Sequence, residues 1–106
     1  MESFPDVHNR SIRLTEERQR HLQAAHPEMA GSVVRIAETL ANPDRIVRSV
    51  TDETVELYYR HYPSTHVTSK FLCIVVKFLV GDSFIVTAYY TDTIKRGESL
   101  WQRERP

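Results

Sequence analysis

Two closely spaced apolar segments between Lys70 and Tyr90 dominate the pattern of hydrophobic and polar positions. The first, Lys70 to Val80, is apolar at almost every position, which is typical of a strand covered on both faces. Gly81 and Asp82 follow it and predict a tight two-residue turn into a second strand. We therefore expect a β-hairpin around which the rest of the chain folds.

The turn also predicts which side chains share a face of this hairpin. With Gly81 and Asp82 at its centre, Lys77 lies on one face, whereas Thr87 and Tyr89 lie on the other. These three polar side chains can line one pocket only if a bulge intervenes or one of them lies at the sheet edge. We expect one face to be buried by a helix and the face with Thr87 and Tyr89 to carry any function.

Alternation of apolar and polar residues before the hairpin predicts two further strands. The first spans residues 45–50, and residues 51–54 form a turn. The second carries Val55, Leu57 and Tyr59 on one side and Glu56, Tyr58, Arg60 and Tyr62 on the other. A loop that contains His66 then leads from Pro63 to Ser69.

Two helices are predicted in the first half of the chain. Thr15, followed by two glutamates, is a favourable N-cap, and Pro27 ends this first helix near His26. The second helix has a single apolar face and ends at residues 42–44, Asn-Pro-Asp. That face is formed by Met29, Val33, Ile36, Ala37 and Leu40.

The order of these elements predicts an α+β fold. Two N-terminal helices pack on one face of a four-stranded antiparallel meander sheet. Residues 1–106 form one domain, with residues 1–10 as a flexible arm. In the C-terminal tail, Leu100 and Trp101 fold back onto the sheet, because a large apolar side chain is costly to leave in water.

Composition and net charge limit the classes of function that we expect for this chain. The net charge is zero, which argues against tight, sequence-blind nucleic-acid binding through many phosphate contacts. No apolar run approaches the ~18 residues of a membrane span and no secretory signal is present, so we expect a cytoplasmic protein. The one cysteine, Cys73, lies in the most apolar segment and is expected to act as a small hydrophobic residue.

No metal or cofactor motif is present, so the candidate chemistry is metal-free proton transfer. His26 at a helix end suits a protonated imidazole, although it could equally hydrogen-bond the last carbonyl groups of the helix. Lys77 within an apolar strand needs an anion, which could be a ligand, a neighbouring acid or solvent at the sheet edge.

Polar and aromatic residues also follow two strands. Thr87, Tyr89 and Thr91 form one stripe, and Tyr58 and Arg60 form another. Such stripes suit the stacking of bases beside a phosphate clamp, and they also occur on solvated sheet faces.

Five segments taken in order resemble a known family. They are HLQAAHPEM, IAETLANPDRI, VELYYRHY, KFLCIVVKF and FIVTAYYTDTIKRGESLW. Together, across residues 12–101, they resemble the phage-associated branch of the barnase/EndoU/colicin/RelE-like nuclease superfamily. The resemblance implies a toxin-type ribonuclease that needs no metal and that cleaves RNA by attack of the ribose 2′-OH on the adjacent phosphate.

The resemblance also implies residue roles and partners. His26 would be the acid or base, and Arg60 or Lys77 would hold phosphate charge. Thr87 and Tyr89 would position the phosphate or a base. Substrate contacts would come from Tyr58, Lys77 and Lys95. RNA and a cognate antitoxin protein are the implied partners. The alternative from the residues alone is a non-catalytic interaction module, such as a homodimer through the sheet edge and the C-terminal tail.

Overall fold

The computed structural model describes residues 2–29, 31–63, 65 and 69–104, and within them the chain forms seven strands and two helices. Pro27–Met29 adds a short 3-10 turn between the helices. The strands are β1 (Glu2–Pro5), β2 (Ser11–Leu14), β3 (Arg45–Arg48), β4 (Val55–Tyr62), β5 (Lys70–Leu79), β6 (Asp82–Thr91) and β7 (Ser99–Gln102), and the helices are α1 (Glu16–Ala25) and α2 (Val33–Ala41).

All seven strands belong to one mixed sheet, in the order β1-β2-β6-β5-β4-β3-β7. The fold is α+β as predicted, but the prediction of a four-stranded antiparallel meander is wrong. Strands β3 to β6 do pair antiparallel with one another, β3 with β4, β4 with β5 and β5 with β6. The sheet is larger because β2 pairs parallel with β6 on one side and β7 pairs antiparallel with β3 on the other.

The N-terminal segment is part of the sheet, contrary to the flexible arm predicted for residues 1–10. Strand β1 pairs antiparallel with β2, and Phe4 is buried in the core. The turn between them places Asn9 at φ 64, a left-handed conformation that asparagine tolerates. Short strands of this kind lack a long alternating pattern, so only their pairing with the sheet reveals them.

The helices follow their sequence signals closely. The Thr15 side chain accepts a hydrogen bond from the Arg18 amide at 3.1 Å, and α1 ends before Pro27. Gly31, at φ 76, precedes α2, which begins later than its apolar pattern suggested. Ile36 and Leu40 of α2 are buried in the main core. No helix in the described ranges is long and apolar enough to cross a membrane.

Each face of the sheet has its own apolar cluster. The helix face packs against both helices and holds the main core, which includes Ile46, Tyr58, Ile74, Val76 and Ile85. The opposite face, called the strap face below, holds a smaller cluster of Val47, Leu57, Tyr59 and Cys73, with Val75 and Tyr89 packed against it.

The β5–β6 hairpin differs from its predicted register at two points. Its turn is centred on Val80 and Gly81, one residue earlier than expected, because Gly81 supplies φ 74 at the second central position. This shift changes the cross-strand partners of the residues between the turn and Val86, but their side chains stay on the predicted faces of the sheet. Val86 is then an extra, unpaired residue, since Val76 pairs with Ile85 and Val75 pairs with Thr87.

The bulge at Val86 reverses the faces of every later residue in β6. Thr87 and Tyr89 therefore pair with Val75 and Cys73 and lie on the strap face, the same face as Lys77. The predicted separation of Lys77 from Thr87 and Tyr89 is wrong for this reason.

Residues 92–98, called the strap below, cross the strap face to join β6 to β7 at the far edge. The Lys95 amide donates a hydrogen bond to the Tyr59 hydroxyl at 3.1 Å, and Ile94 packs on the small cluster. Where the strap reaches β3, a Cβ on Gly97 would lie 2.3 Å from the Arg48 carbonyl oxygen. Only glycine fits at this close approach.

Candidate functional site

An open groove of about 550 Å³ lies on the strap face, between the strap and the loop that joins β3 to β4. It is called the strap groove below. Val75, Thr87 and Tyr89 contribute to its lining from the sheet, and Lys95 and Arg96 contribute from the strap. The bulge at Val86 creates this arrangement, because it turns Thr87 and Tyr89 towards the strap. The groove therefore combines hydroxyl groups, an aromatic ring, two cations and the carboxylate of Asp52.

Lys95 and Arg96 give the groove its positive charge. Both side chains are exposed, and neither has an ion-pair partner within residues 2–29, 31–63, 65 and 69–104. Lysine and arginine side chains in this state can contact a phosphate without first losing a protein partner.

Lys77 shares the face of the groove but is already paired. Its ammonium lies 2.9 Å from the Asp52 carboxylate. Hydrogen bonds from Thr54 and from Lys77 hold the pKa of Asp52 at about 2, so this carboxylate is ionised at neutral pH. Lys77 thus matches the interpretation in which a neighbouring acid compensates its charge.

Tyr89 and Cys73 form the centre of the sheet beneath the groove. Burial, together with the neighbouring Cys73, raises the pKa of Tyr89 well above its ordinary value, so its phenol stays neutral. Burial also raises the pKa of the Cys73 thiol to about 11. A buried neutral thiol is a poor nucleophile, which fits the expected role of Cys73 as a small hydrophobic residue.

His26 lies beside the groove through its contact with Tyr89. The two ring centroids are 6.0 Å apart, and the imidazole Nδ1 lies 3.6 Å from the Glu28 carboxylate. Its backbone amide closes the last turn of α1 on the Leu22 carbonyl at 2.7 Å. The side chain is partly exposed, so solvent reaches the imidazole.

Tyr58 lies away from the groove, on the helix face. It is fully buried, its hydroxyl donates to the Asp6 carboxylate at 2.6 Å, and it accepts a hydrogen bond from Arg10 at 2.9 Å. Burial raises its pKa, and the Asp6 hydrogen bond adds to this effect. Its surroundings are those of a structural core residue.

Arg60 is also separate from the strap groove. Its guanidinium donates to the Asn42 carbonyl at 2.7 Å, and its Nε lies 3.5 Å from Glu38. It lines a different cavity at the other end of β4. The structure therefore brings Thr87, Tyr89 and Lys95 together in the lining of the strap groove. His26 reaches this set only through Tyr89, and Lys77 shares the face without lining the groove. Tyr58 and Arg60 lie elsewhere.

Arg96 is the groove cation that sequence reasoning missed. The signal was the basic pair at positions 95 and 96, directly before a glycine. Its meaning depends on the strap, which cannot be inferred from local periodicity. His66 of the predicted loop falls outside the described residues. Within the described part of the chain, no three His, Cys, Asp or Glu side chains are grouped to hold a metal ion.

Comparison of the chain with protein-family models, with curated proteins and with solved structures finds no match.

Proposed function

We propose that the strap groove binds single-stranded RNA and that His26 promotes metal-independent cleavage of it. The observation that carries the proposal is a pair of cations, Lys95 and Arg96, beside Tyr89, which in turn contacts His26. Neither cation has an ion-pair partner in the described part of the chain. An aromatic ring next to basic side chains suits a strand whose bases stack while its phosphates meet positive charge. The resemblance to the barnase/EndoU/colicin/RelE-like superfamily points to the same chemistry.

In this proposal His26 accepts the proton of the ribose 2′-OH. The 2′-oxygen attacks the adjacent phosphorus, the bond from phosphorus to the 5′-oxygen breaks, and the leaving oxygen takes a proton from water in the open groove. Lys95 and Arg96 offset the negative charge that develops on the phosphate oxygens. Thr87 and the neutral phenol of Tyr89 position the phosphate by hydrogen bonds. The products are a 2′,3′-cyclic phosphate and a free 5′-hydroxyl.

A toxin-type ribonuclease of this kind would act in the cytoplasm and would need a cognate antitoxin protein. The strap groove is the surface that such a partner would have to cover. By contrast, a homodimer through the C-terminal tail receives little support, because Leu100 and Trp101 pack against the core of their own chain.

The test compares wild-type protein with His26→Ala on a labelled single-stranded RNA in the presence of a chelator. Wild type is expected to yield cyclic-phosphate ends, and His26→Ala to lose about 10²- to 10⁴-fold in rate, the usual contribution of a general base. His21→Ala is the matched control, since His21 is an exposed residue of α1, and it should retain full activity. A substrate with one 2′-deoxy position should resist cleavage there.

A second comparison separates binding from chemistry. The double variant Lys95→Ala/Arg96→Ala should bind the RNA more weakly and with a smaller salt dependence, because fewer phosphate contacts remain. Intact RNA after incubation with wild type, or equal cleavage by wild type and His26→Ala, would contradict the proposal.

A further inference from the structure

A second cavity lies on the other side of the strap from the strap groove, at the end of the sheet where β3 begins. It has a volume of about 670 Å³ and is called the arginine cavity below. Its principal lining residues are Arg45, Arg60, His61, Phe71, Ile94 and Arg103. Ile94 lines this cavity while the next residue, Lys95, lines the strap groove, so the strap is the wall between the two.

The local fold explains why three arginines meet here. Pairing between β3 and β4 stops at Arg45 and Tyr59, so β4 continues past the start of β3 and carries Arg60 to the end of the sheet where the cavity lies. Arg103 follows β7 and is held there by its hydrogen bonds to the Asn42 and Pro43 carbonyls, at 2.6 and 3.2 Å. Arg45 is the first residue of β3, and its side chain lines the cavity.

Positive charge exceeds negative charge in this cavity. Among the residues that the structure describes, the lining contains three guanidinium groups and one carboxylate, that of Asp44. Asp44 is already engaged, because it lies 3.2 Å from Arg103 Nε and accepts a hydrogen bond from the His61 amide at 2.7 Å. Glu38, which is outside the lining, offsets part of the Arg60 charge from 3.5 Å.

Arg45 is the guanidinium that lacks compensation. It is partly buried, its Nε is shielded from solvent without a hydrogen-bond partner, and no acid in the described residues forms an ion pair with it. A partly buried cation without a counter-charge is unfavourable unless a ligand supplies the anion. The guanidinium fork matches the oxygen atoms of a phosphate or carboxylate.

The remaining lining residues indicate which chemical group is attached to the anion. Phe71 and Ile94 present apolar surface, and the His61 ring lies 5.3 Å from the Phe71 ring, centroid to centroid. An aromatic and apolar wall next to guanidinium groups suits a planar ring joined to an anion. A phosphate monoester presents three acceptor oxygen atoms, enough for the guanidinium groups of Arg45 and Arg60 together, whereas a carboxylate presents two.

We propose that the arginine cavity binds the phosphate monoester of a nucleotide, with the phosphate on Arg45 and Arg60 and the base against Phe71. This site is independent of the proposed cleavage in the strap groove. The same chemistry is present in a free mononucleotide and in the 5′-phosphorylated end of a strand, and the experiment separates these two sources.

The experiment is a calorimetric titration of the whole protein with the four nucleoside 5′-monophosphates, with inorganic phosphate, and with short DNA oligonucleotides that carry or lack a 5′-phosphate. DNA is used because it cannot be cleaved through a 2′-OH. At least one mononucleotide should bind saturably and more tightly than phosphate. Preference for the phosphorylated oligonucleotide over the mononucleotides would identify a strand end as the ligand, and the reverse order would identify a free nucleotide.

Variants assign the binding to this cavity. Arg45→Gln should weaken nucleotide binding about ten- to a hundredfold, because a charge-assisted contact is lost. Arg48→Gln, on the same strand but paired with Glu98 at the surface, is the matched control and should bind like wild type. Phe71→Leu should lower affinity for the nucleotide and leave that for phosphate unchanged.

Thermal unfolding of each variant identifies any that fails to fold, and Arg60→Gln then replaces Arg45→Gln in the comparison. The proposal is overturned if no mononucleotide or 5′-phosphorylated strand binds saturably, if phosphate binds as tightly as the nucleotides, or if folded Arg45 and Arg60 variants bind like wild type. The His26→Ala cleavage assay has no bearing on these outcomes, so either proposal can fail alone.

Discussion

At the scale of single residues, a buried network around Asp6 ties the N-terminal hairpin to β4. Asp6 is 4 % exposed and accepts hydrogen bonds from Tyr58 at 2.6 Å and from the Arg10 side chain at 2.8 Å. Arg10 continues to Glu56 at 3.0 Å and lies over the Phe78 ring. Although burial opposes ionisation of Asp6, the hydrogen bonds from Tyr58 and Arg10 keep its pKa below the ordinary value.

Acid should therefore weaken the fold through Asp6. A carboxylate with a lowered pKa adds stability above the pKa of the unfolded chain, near 3.8, and that stability is lost as the pH falls through the folded pKa. Asp6→Asn should lower the free energy of unfolding at pH 7 by about 2 kcal/mol. The difference from wild type should shrink below pH 4, as measured by urea unfolding at a series of pH values.

Asp92→Asn is the control for this series, since Asp92 is exposed and pairs with Lys70 at the surface. It should change stability by less than about 0.5 kcal/mol at every pH. A constant difference between wild type and Asp6→Asn across the series would show that Asp6 has the same pKa in the folded and the unfolded chain, which would contradict the lowered pKa.

At the scale of elements, the Val86 bulge decides which side chains reach the strap groove. The sequence around it is uniformly favourable for a strand, and no glycine or other breaker marks the extra residue. Alternation alone therefore placed Thr87 and Tyr89 opposite Lys77. Helix caps and the positions of β3 to β6 were predictable, because those signals are local, whereas a bulge depends on how two strands fit together.

Deletion of Val86 tests this interpretation of β6. Removing only the extra residue keeps Ile85 opposite Val76 and Thr87 opposite Val75, so the variant should fold, with a loss of about 1–2 kcal/mol for the changed twist and packing. Deletion of Ala88, which is fully buried, should instead move the later residues of β6 to the wrong face and abolish cooperative unfolding.

Thermal unfolding followed by circular dichroism distinguishes the two deletions. If both variants unfold alike, Val86 is part of the regular ladder and the assignment of Thr87 and Tyr89 to the strap face is wrong.

At the scale of the whole molecule, both ends of the chain complete the sheet. Strand β1 forms one edge and β7 the other, and neither was predicted as a strand. The sequence predicted that Leu100 and Trp101 fold back onto the sheet, because their side chains are large and apolar. It did not predict that they pair with β3, because that contact joins distant parts of the sequence. The strap and both cavities depend on that same distant contact.

Truncation of the C-terminal tail should therefore unfold the protein rather than dissociate a dimer. Removal of residues 98–106 uncovers β3 and loses the half-buried Leu100 and Trp101, which should lower stability by about 2–4 kcal/mol. The measurement is urea unfolding by circular dichroism, together with light scattering. Removal of residues 104–106 is the control and should have little effect. A dimer that becomes a stable monomer on truncation would favour the interaction module instead.

The parallel contact between β2 and β6 also governs the order in which the protein can assemble during translation. Arg13 and Asp82, which form an ion pair across it, are 69 residues apart in sequence. The N-terminal hairpin and both helices leave the ribosome before the strand that receives them has been made. Ile12 and Leu14, fully buried at the end, stay accessible to chaperones and proteases throughout that interval. Because β6 must be synthesised before β2 can pair with it, the time needed to translate the chain as far as β6 sets the shortest period for which the nascent chain is vulnerable.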